Sequence, residues 1–151
     1  MCKKFELSDS NKTQKELLLQ VVPKRKDIFV SLPTGFSKSV IFQALPIPVV
    51  SDSYTGKSGH IVIVISPLLS LIKNLCERLR HIGISCISLS DVYTQEEIHL
   101  IDSGCYSVIY ATPELLLKNE QRQRMLSSDL FQQKVCAIAV DEVHVIKKNN
   151  W

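Results

Sequence analysis

A short loop between an apolar run and a helix carries the residues best suited to bind a phosphate. Residues 27–32 predict a strand, and the Pro-Thr-Gly that follows ends it as a turn. Lys38 and Ser39 then lead into a helix predicted over 39–45. In this context backbone N–H groups would surround a polyphosphate, Lys38 would reach its β and γ phosphates, and Ser39 would coordinate Mg²⁺. Taken alone, the loop leaves an ordinary basic turn as the alternative.

A pair of carboxylates follows the last apolar run of the chain. Residues 135–140 predict a buried strand, and Asp141 and Glu142 come directly after it. Asp141 would hold Mg²⁺, mostly through water, and Glu142 would polarise an attacking water. A charged strand end without chemistry is the common alternative. A second such strand end downstream of a phosphate loop makes coincidence a weaker explanation.

The elements that must position these two sites alternate between strands and helices. Strands are predicted over 27–32, 60–65, 84–89, 106–111 and 135–140. Helices are predicted over 11–22, 39–45, 67–81 and 94–102, and from 113 onward. Thr94 with Glu97 predicts a capping box, and Thr112 a helix cap with Pro113 in first position. This alternation predicts an α/β fold with a mainly parallel sheet, in which ligands bind at the carboxyl ends of the strands.

The composition indicates one ordinary globular domain. The 151 residues are 45% hydrophobic and 22% charged, which excludes a collagen-like or wholly disordered chain. The net charge of +3 is too small to identify a nucleic-acid binder. No apolar run approaches the roughly 18 residues of a membrane span, and the first residues lack a secretory signal, so an intracellular protein is expected. The five cysteines form no C-x-x-C pair, which predicts buried reduced thiols rather than a zinc site.

Four segments resemble, in chain order, the motifs of the RecQ family of superfamily 2 DNA helicases. Residues 32–39, followed by Gln43, are similar to motif I, and residues 65–74 to motif Ia. Residues 110–116 are similar to motif Ib, and residues 139–144 to the DEAH-type motif II. The resemblance covers most of the chain. It implies a three-layer P-loop NTPase (RecA-like) fold and the ATP-binding lobe of a helicase that moves 3′ to 5′ on DNA.

The resemblance also implies a role for each matching residue. ATP would be bound by Gln14, Thr34, Gly35, Phe36, Ser37, Lys38 and Ser39, and Mg²⁺ by Ser39 and Asp141. Catalysis would rest on Lys38, Asp141, Glu142 and His144, with His144 coupling the nucleotide site to the DNA-binding side. Gln14 would recognise adenine, although Lys15 falls at the gap-free spacing and an ordinary helix-surface Gln is the alternative.

The same resemblance implies a DNA-binding set. Contact with a single strand's sugar-phosphate backbone would come from Ser66, Pro67, Lys73, Thr112, Pro113 and Glu114. Ser66-Pro67 and Thr112-Pro113 each open a predicted helix, and the free N–H groups at a helix start favour phosphate. The alternatives are two well-capped helices and a solvated lysine. The partner expected is single-stranded or partly duplex DNA, with no membrane, and the expected location is the nucleus.

The sequence departs from the family pattern at the phosphate loop and in extent. Ser37 stands where the family has Gly, and its Cβ and hydroxyl would crowd the phosphates. Residues 1–26 predict an amino-terminal segment with a helix and a basic turn, and residues 27–151 the ATP-binding lobe, ending soon after motif II. The second lobe and its arginine finger are absent from these 151 residues, so the chain alone is expected to hydrolyse ATP poorly. A degenerate, non-hydrolysing nucleotide- or DNA-binding module is the alternative.

Overall fold

The chain forms two compact units, 1–60 and 61–151. The computed structural model describes residues 31, 39–45, 61–92 and 94–142. In the first unit it shows one helix, α1 (Ser39–Ala44), as predicted over 39–45. The helix predicted over 11–22 and the strand predicted over 27–32 lie outside the described residues, apart from the exposed Ser31. The boundary expected between residues 26 and 27 therefore stays a prediction.

The second unit alternates strands and helices. Its strands are β1 (Ile61–Ile65), β2 (Cys86–Ser88), β3 (Val108–Ala111) and β4 (Val135–Val140). Its helices are α2 (Leu69–His81), α3 (Gln95–Asp102), α4 (Pro113–Lys118), α5 (Glu120–Ser127) and α6 (Asp129–Lys134), with a 3₁₀ turn at Leu89–Asp91.

The four strands form one parallel sheet in the order β2-β3-β1-β4. The predicted α/β class and the parallel sheet are thereby confirmed. β1 lies between β3 and β4, so both of its edges are paired. Four of its five residues are buried, as is typical of an interior parallel strand. β2 is shorter than the predicted 84–89, since the 3₁₀ turn starts at Leu89 and the Ser88 Oγ accepts a hydrogen bond from the Ser90 amide at 3.3 Å.

Helix α2 is amphipathic, as its sequence pattern predicts. It buries Ile72, Leu75, Cys76 and Leu79, which share one face at helical spacing. The chain leaves the helix at Gly83, whose φ of 73° lies in the left-handed region and whose amide donates to the Arg80 carbonyl at 2.9 Å. The amino-terminal end differs from the prediction, because α2 begins at Leu69 and not at residue 67.

The remaining helices begin at polar caps. The predicted capping box of α3 is present. The Thr94 hydroxyl accepts a hydrogen bond from the Glu97 amide, and the Glu97 carboxylate accepts one from the Thr94 amide. The helix predicted from 113 onward is three short helices, because Asn119 and Ser128 each adopt extended backbone and cap the next helix. Their apolar residues join the core beneath the sheet: Leu116, Met125 and Phe131 pack with Ile61, Ile63, Ile109 and Ala111.

Strand β4 is the part of the sheet that the sequence misjudged. Its run of six apolar residues predicts burial on both faces, but alternate residues are exposed, among them Ile138 at 61% and Val140 at 43%. Among the described residues β4 pairs with β1 alone, so its other edge has no strand partner there. The cysteines divide in a similar way, since Cys76 and Cys86 are buried as predicted, whereas Cys105 and Cys136 are exposed.

Candidate functional site

Three of the predicted site residues stand side by side at the carboxyl edge of the sheet. Ser66, Thr112 and Asp141 are each the first residue after a strand. The Ser66 amide donates to the Ala111 carbonyl at 3.0 Å, and the Asp141 amide donates to the Ile65 carbonyl at 2.9 Å. These two bonds continue the parallel ladder one step beyond the strands, so the three strand ends lie next to one another. This edge is where α/β sheets bind ligands.

The end of β4 presents two carboxylates on an unusual backbone. Asp141 and Glu142 are both half-buried. Asp141 Oδ1 accepts a hydrogen bond from the Glu142 amide at 3.0 Å. Glu142 has a φ of 54°, and it is the only residue other than glycine with a positive φ in the described part of the chain. A strained backbone of this kind costs about 1–3 kcal/mol and is typical of functional sites.

The end of β1 leads into a helix whose amino terminus has no side-chain cap. Leu68 occupies the N-cap position, and its side chain has no atom that can accept a hydrogen bond. The first backbone bond of the helix runs from the Ile72 amide to the Leu68 carbonyl at 3.1 Å. The first turn holds no acidic residue, and Leu69 is 54% exposed. The amides of the first turn therefore have no side-chain acceptor and no nearby negative charge, so this end of the helix suits an anion.

Ser66 itself is fully buried, and Pro67 is half-buried two residues before the helix. The Ser66 hydroxyl has no hydrogen-bond partner in the described part of the chain. Lys73, one turn into α2, is exposed. The exposed groups of this junction are thus the helix amides and the lysine, and the serine hydroxyl is not among them.

The end of β3 leads into a helix that is capped by the chain itself. The Thr112 hydroxyl accepts a hydrogen bond from the Leu115 amide at 3.5 Å, and Pro113 fills the first helical position as predicted. Pro113 is buried, and the half-buried Glu114 places a negative charge in the first turn. One donor is therefore already satisfied and the local charge is unfavourable for an anion.

The predicted nucleotide-binding residues fall mostly outside the described residues. This holds for Gln14, Thr34, Gly35, Phe36, Ser37, Lys38 and His144. Ser39 is described as the half-buried first residue of α1, in the unit 1–60, whereas Asp141 belongs to the unit 61–151.

The described residues contain carboxylate oxygens but no cluster of metal ligands. Within 31, 39–45, 61–92 and 94–142 there is no group of three or more His, Cys, Asp or Glu side chains that would hold a metal ion. Carboxylate oxygens such as those of Asp141 are ligands that Mg²⁺ prefers, and Mg²⁺ usually keeps several waters in its shell.

Sequence reasoning missed two features of this edge. The uncapped start of α2 carries no polar signal, because a leucine stands at the N-cap where Ser, Thr, Asp or Asn marks other helices. The left-handed backbone of Glu142 could not be predicted either, because a positive φ is normally indicated by a glycine or an asparagine. Among the helices of the described residues, none is both long enough and apolar enough to span a membrane.

Comparisons with known proteins agree with the motif pattern. The family model described as "DEAD/DEAH box helicase" matches residues 11–151. The chain is 35% identical over 130 residues to the ATP-dependent helicase SGS1 of Saccharomyces cerevisiae, which covers 83% of this chain and 8% of that protein. It is 32% identical over 152 residues to the ATP-dependent DNA helicase Q1 of Rattus norvegicus, covering 93% of this chain and 23% of that protein.

A bacterial relative shows the same relationship. The ATP-dependent DNA helicase RecQ of Bacillus subtilis is 30% identical over 139 residues, covering 89% of this chain and 21% of that protein. The resemblance to the RecQ family is confirmed by these matches. The chain spans less than a quarter of the length of each of the three relatives.

Proposed function

This chain belongs to the DEAD/DEAH box helicase family, and from that membership we propose that it is the ATP-binding lobe of a RecQ-like DNA helicase that couples ATP hydrolysis to DNA unwinding. The observation that carries the proposal is the row of adjacent strand ends at Ser66, Thr112 and Asp141. A single sheet edge thereby places the carboxylates suited to nucleotide chemistry beside the start of α2, which suits a nucleic-acid backbone, and the capped start of α4.

The nucleotide half of the proposal assigns the phosphates to Lys38 and the amides of its loop. Ser39 and Asp141 would hold Mg²⁺, which supplies charge neutralisation at the β and γ phosphates when it is bound. Glu142 would orient and deprotonate the attacking water as a general base. His144 would connect this site to the DNA side. Thr34, Gly35, Phe36 and Ser37 would shape the loop, and Gln14 would recognise adenine.

The test of the nucleotide half is Mg-ATP binding to the 151-residue chain by calorimetry. Lys38→Ala removes the cation proposed for the phosphates and is expected to abolish measurable binding. Arg78→Ala is the matched control, because Arg78 is an exposed cation in the last turn of α2 and has no proposed role in the site. Equal affinity of the two variants would sink the assignment of Lys38.

The DNA half of the proposal rests on the two helix starts. We assign the phosphate contact of the Ser66–Pro67 segment to the amides at the start of α2, with Lys73 beside them. Thr112, Pro113 and Glu114 would supply the second contact. Fluorescence anisotropy with a labelled oligothymidylate tests this half, and Lys73→Ala is expected to weaken binding modestly, as loss of one phosphate contact does. Unchanged affinity and unchanged salt dependence would contradict the role of Lys73.

The direction of movement on DNA and the rate of ATP hydrolysis both depend on a second lobe. Movement from 3′ to 5′ is proposed on the RecQ resemblance, and it predicts that a two-lobed protein unwinds duplexes with a 3′ single-stranded tail but not those with a 5′ tail. The 151 residues alone are proposed to hydrolyse ATP slowly, because an arginine finger stabilises the transition state in phosphoryl transfer and a second lobe would supply it. Fast hydrolysis by the isolated chain would contradict that statement.

A degenerate binding module is the second candidate, and Ser37 is the observation that favours it. If its Cβ crowds the phosphates, Ser37→Gly is expected to tighten Mg-ATP binding. If affinity does not change, Ser37 is no reason to doubt the loop and the helicase lobe stands as the better proposal.

A further inference from the structure

Two cysteines that the proposed function does not use lie against each other in the core. Cys76 is on α2 and is 3% exposed, and Cys86 is on β2 and is 2% exposed. The helix packs against the strand, which brings residues ten positions apart into contact. The Cys86 Sγ donates a hydrogen bond to the Cys76 carbonyl at 3.2 Å.

An arginine holds the strand side of this pair in place. The Arg80 Nε and Nη2 donate to the Cys86 carbonyl at 3.4 and 3.3 Å. Arg80 is one turn along α2 from Cys76, so its guanidinium ties the helix to the strand at the position of the thiols. The Cys86 side chain is therefore held against the Cys76 main chain where the helix packs on the strand.

The surroundings of the two thiols shift their pKa values in opposite directions. The hydrogen bond with Cys86 and then burial raise the pKa of Cys76, which keeps this thiol protonated. The hydrogen bond from Cys76, with help from Arg80, lowers the pKa of Cys86 despite burial. The carbonyl contact favours the protonated Cys86, whereas the Cys76 thiol and the guanidinium favour its thiolate, and the latter two prevail. A thiol whose pKa is lowered and that contacts a second cysteine is suited to oxidation.

We propose that Cys76 and Cys86 form an oxidisable dithiol that closes to an intramolecular disulfide between α2 and β2. With a peroxide as the oxidant, the Cys86 thiolate attacks one oxygen, giving a sulfenic acid and releasing hydroxide. The Cys76 sulfur then attacks the Cys86 sulfur, and water leaves, carrying the remaining oxygen. In sum two thiols and one hydrogen peroxide give one disulfide and two waters. The inference does not depend on the nucleotide or DNA assignments.

The test uses a 151-residue variant in which the other cysteines are replaced, Cys2→Ser with Cys105→Ser and Cys136→Ser. The folded variant is treated with hydrogen peroxide, its remaining free thiols are alkylated after denaturation, and its intact mass is measured. The expected product has lost two hydrogen atoms, takes no alkyl group and yields linked Cys76 and Cys86 peptides. Dithiothreitol is expected to restore two alkylation sites.

The matched control adds Cys86→Ser to the same background, so that Cys76 has no partner and no disulfide forms within the chain. Circular dichroism confirms that each variant is folded before oxidation. The proposal is overturned if both thiols of the first variant remain alkylatable under peroxide that oxidises the exposed Cys105 of the unmodified chain. It is equally overturned if mass analysis of the unmodified chain finds Cys76 or Cys86 linked to another cysteine instead.

Discussion

The starts of α2 and α4 lie on adjacent strand ends of one sheet, yet they are built in opposite ways. The chain caps α4 with Thr112, fills its first position with Pro113 and adds the negative Glu114. At the start of α2 it places Leu68 at the N-cap and no acidic residue in the first turn. The α4 start is therefore stabilised from within the fold, whereas the α2 start keeps unpaired amides at the end of a thirteen-residue helix.

The difference teaches that the two DNA contacts expected from the sequence are not equivalent. A phosphate at α2 would meet several unsatisfied donors and the positive end of a helix dipole. A phosphate at α4 would compete with Thr112 for a donor and approach the Glu114 carboxylate. We infer that α2 supplies the stronger phosphate contact and that α4 contributes more to folding stability.

The largest effect is expected from removing the cap of α4. Thr112→Ala leaves the Leu115 amide without its partner and removes a buried methyl group, so the free energy of unfolding is expected to fall by about 1–2 kcal/mol. Urea denaturation of the 151-residue chain measures the change. Thr112→Ser is the matched control, since it keeps the hydroxyl and is expected to retain most of the stability. A Thr112→Ala variant as stable as the parent would show that the 3.5 Å bond does not cap the helix.

The next effect comes from giving α2 the cap that it lacks. Leu68 is 46% exposed, so Leu68→Asp loses little buried surface and gains a carboxylate acceptor at the N-cap. The free energy of unfolding is expected to rise by about 0.5–1 kcal/mol. Affinity for oligothymidylate is expected to fall about three- to tenfold, because the carboxylate accepts hydrogen bonds from the first-turn amides and repels phosphate.

Two variants separate the causes in that experiment. Leu68→Asn caps the helix without adding charge, and it is expected to keep the gain in stability with a smaller loss of DNA affinity. Leu117→Asp adds the same charge at an exposed leucine within α4 and is expected to change DNA affinity little. If Leu68→Asp bound DNA as well as the parent chain does, the stronger contact would not lie at α2.

Features set by a few adjacent residues, such as helix caps, can be predicted from the sequence, whereas features set by tertiary packing cannot. The starts of α3 and α4 could be predicted from Thr94, Thr112 and Pro113, because a cap involves only a few adjacent residues. The parallel strands follow from apolar runs, and the position of Asp141 follows from the end of β4. The exposure of Ile138 could not be predicted, because an apolar run shows that a strand has an apolar surface and says nothing of what covers it.

The smallest effect is expected at Ser66, where the two junctions differ in how their hydroxyls are used. The Ser66 hydroxyl is buried without a partner in the described part of the chain, so it is desolvated with no hydrogen bond in return. Ser66→Ala is therefore expected to change the free energy of unfolding by less than about 0.5 kcal/mol and to leave DNA affinity unchanged. Ser128→Ala is the matched control, because the Ser128 hydroxyl accepts from the Phe131 amide at 3.4 Å and donates to the Met125 carbonyl at 2.8 Å. That variant is expected to lose about 1 kcal/mol. A loss of the same size in Ser66→Ala would mean that its hydroxyl has a structural partner, and the contrast with Thr112 would then rest on the N-cap alone.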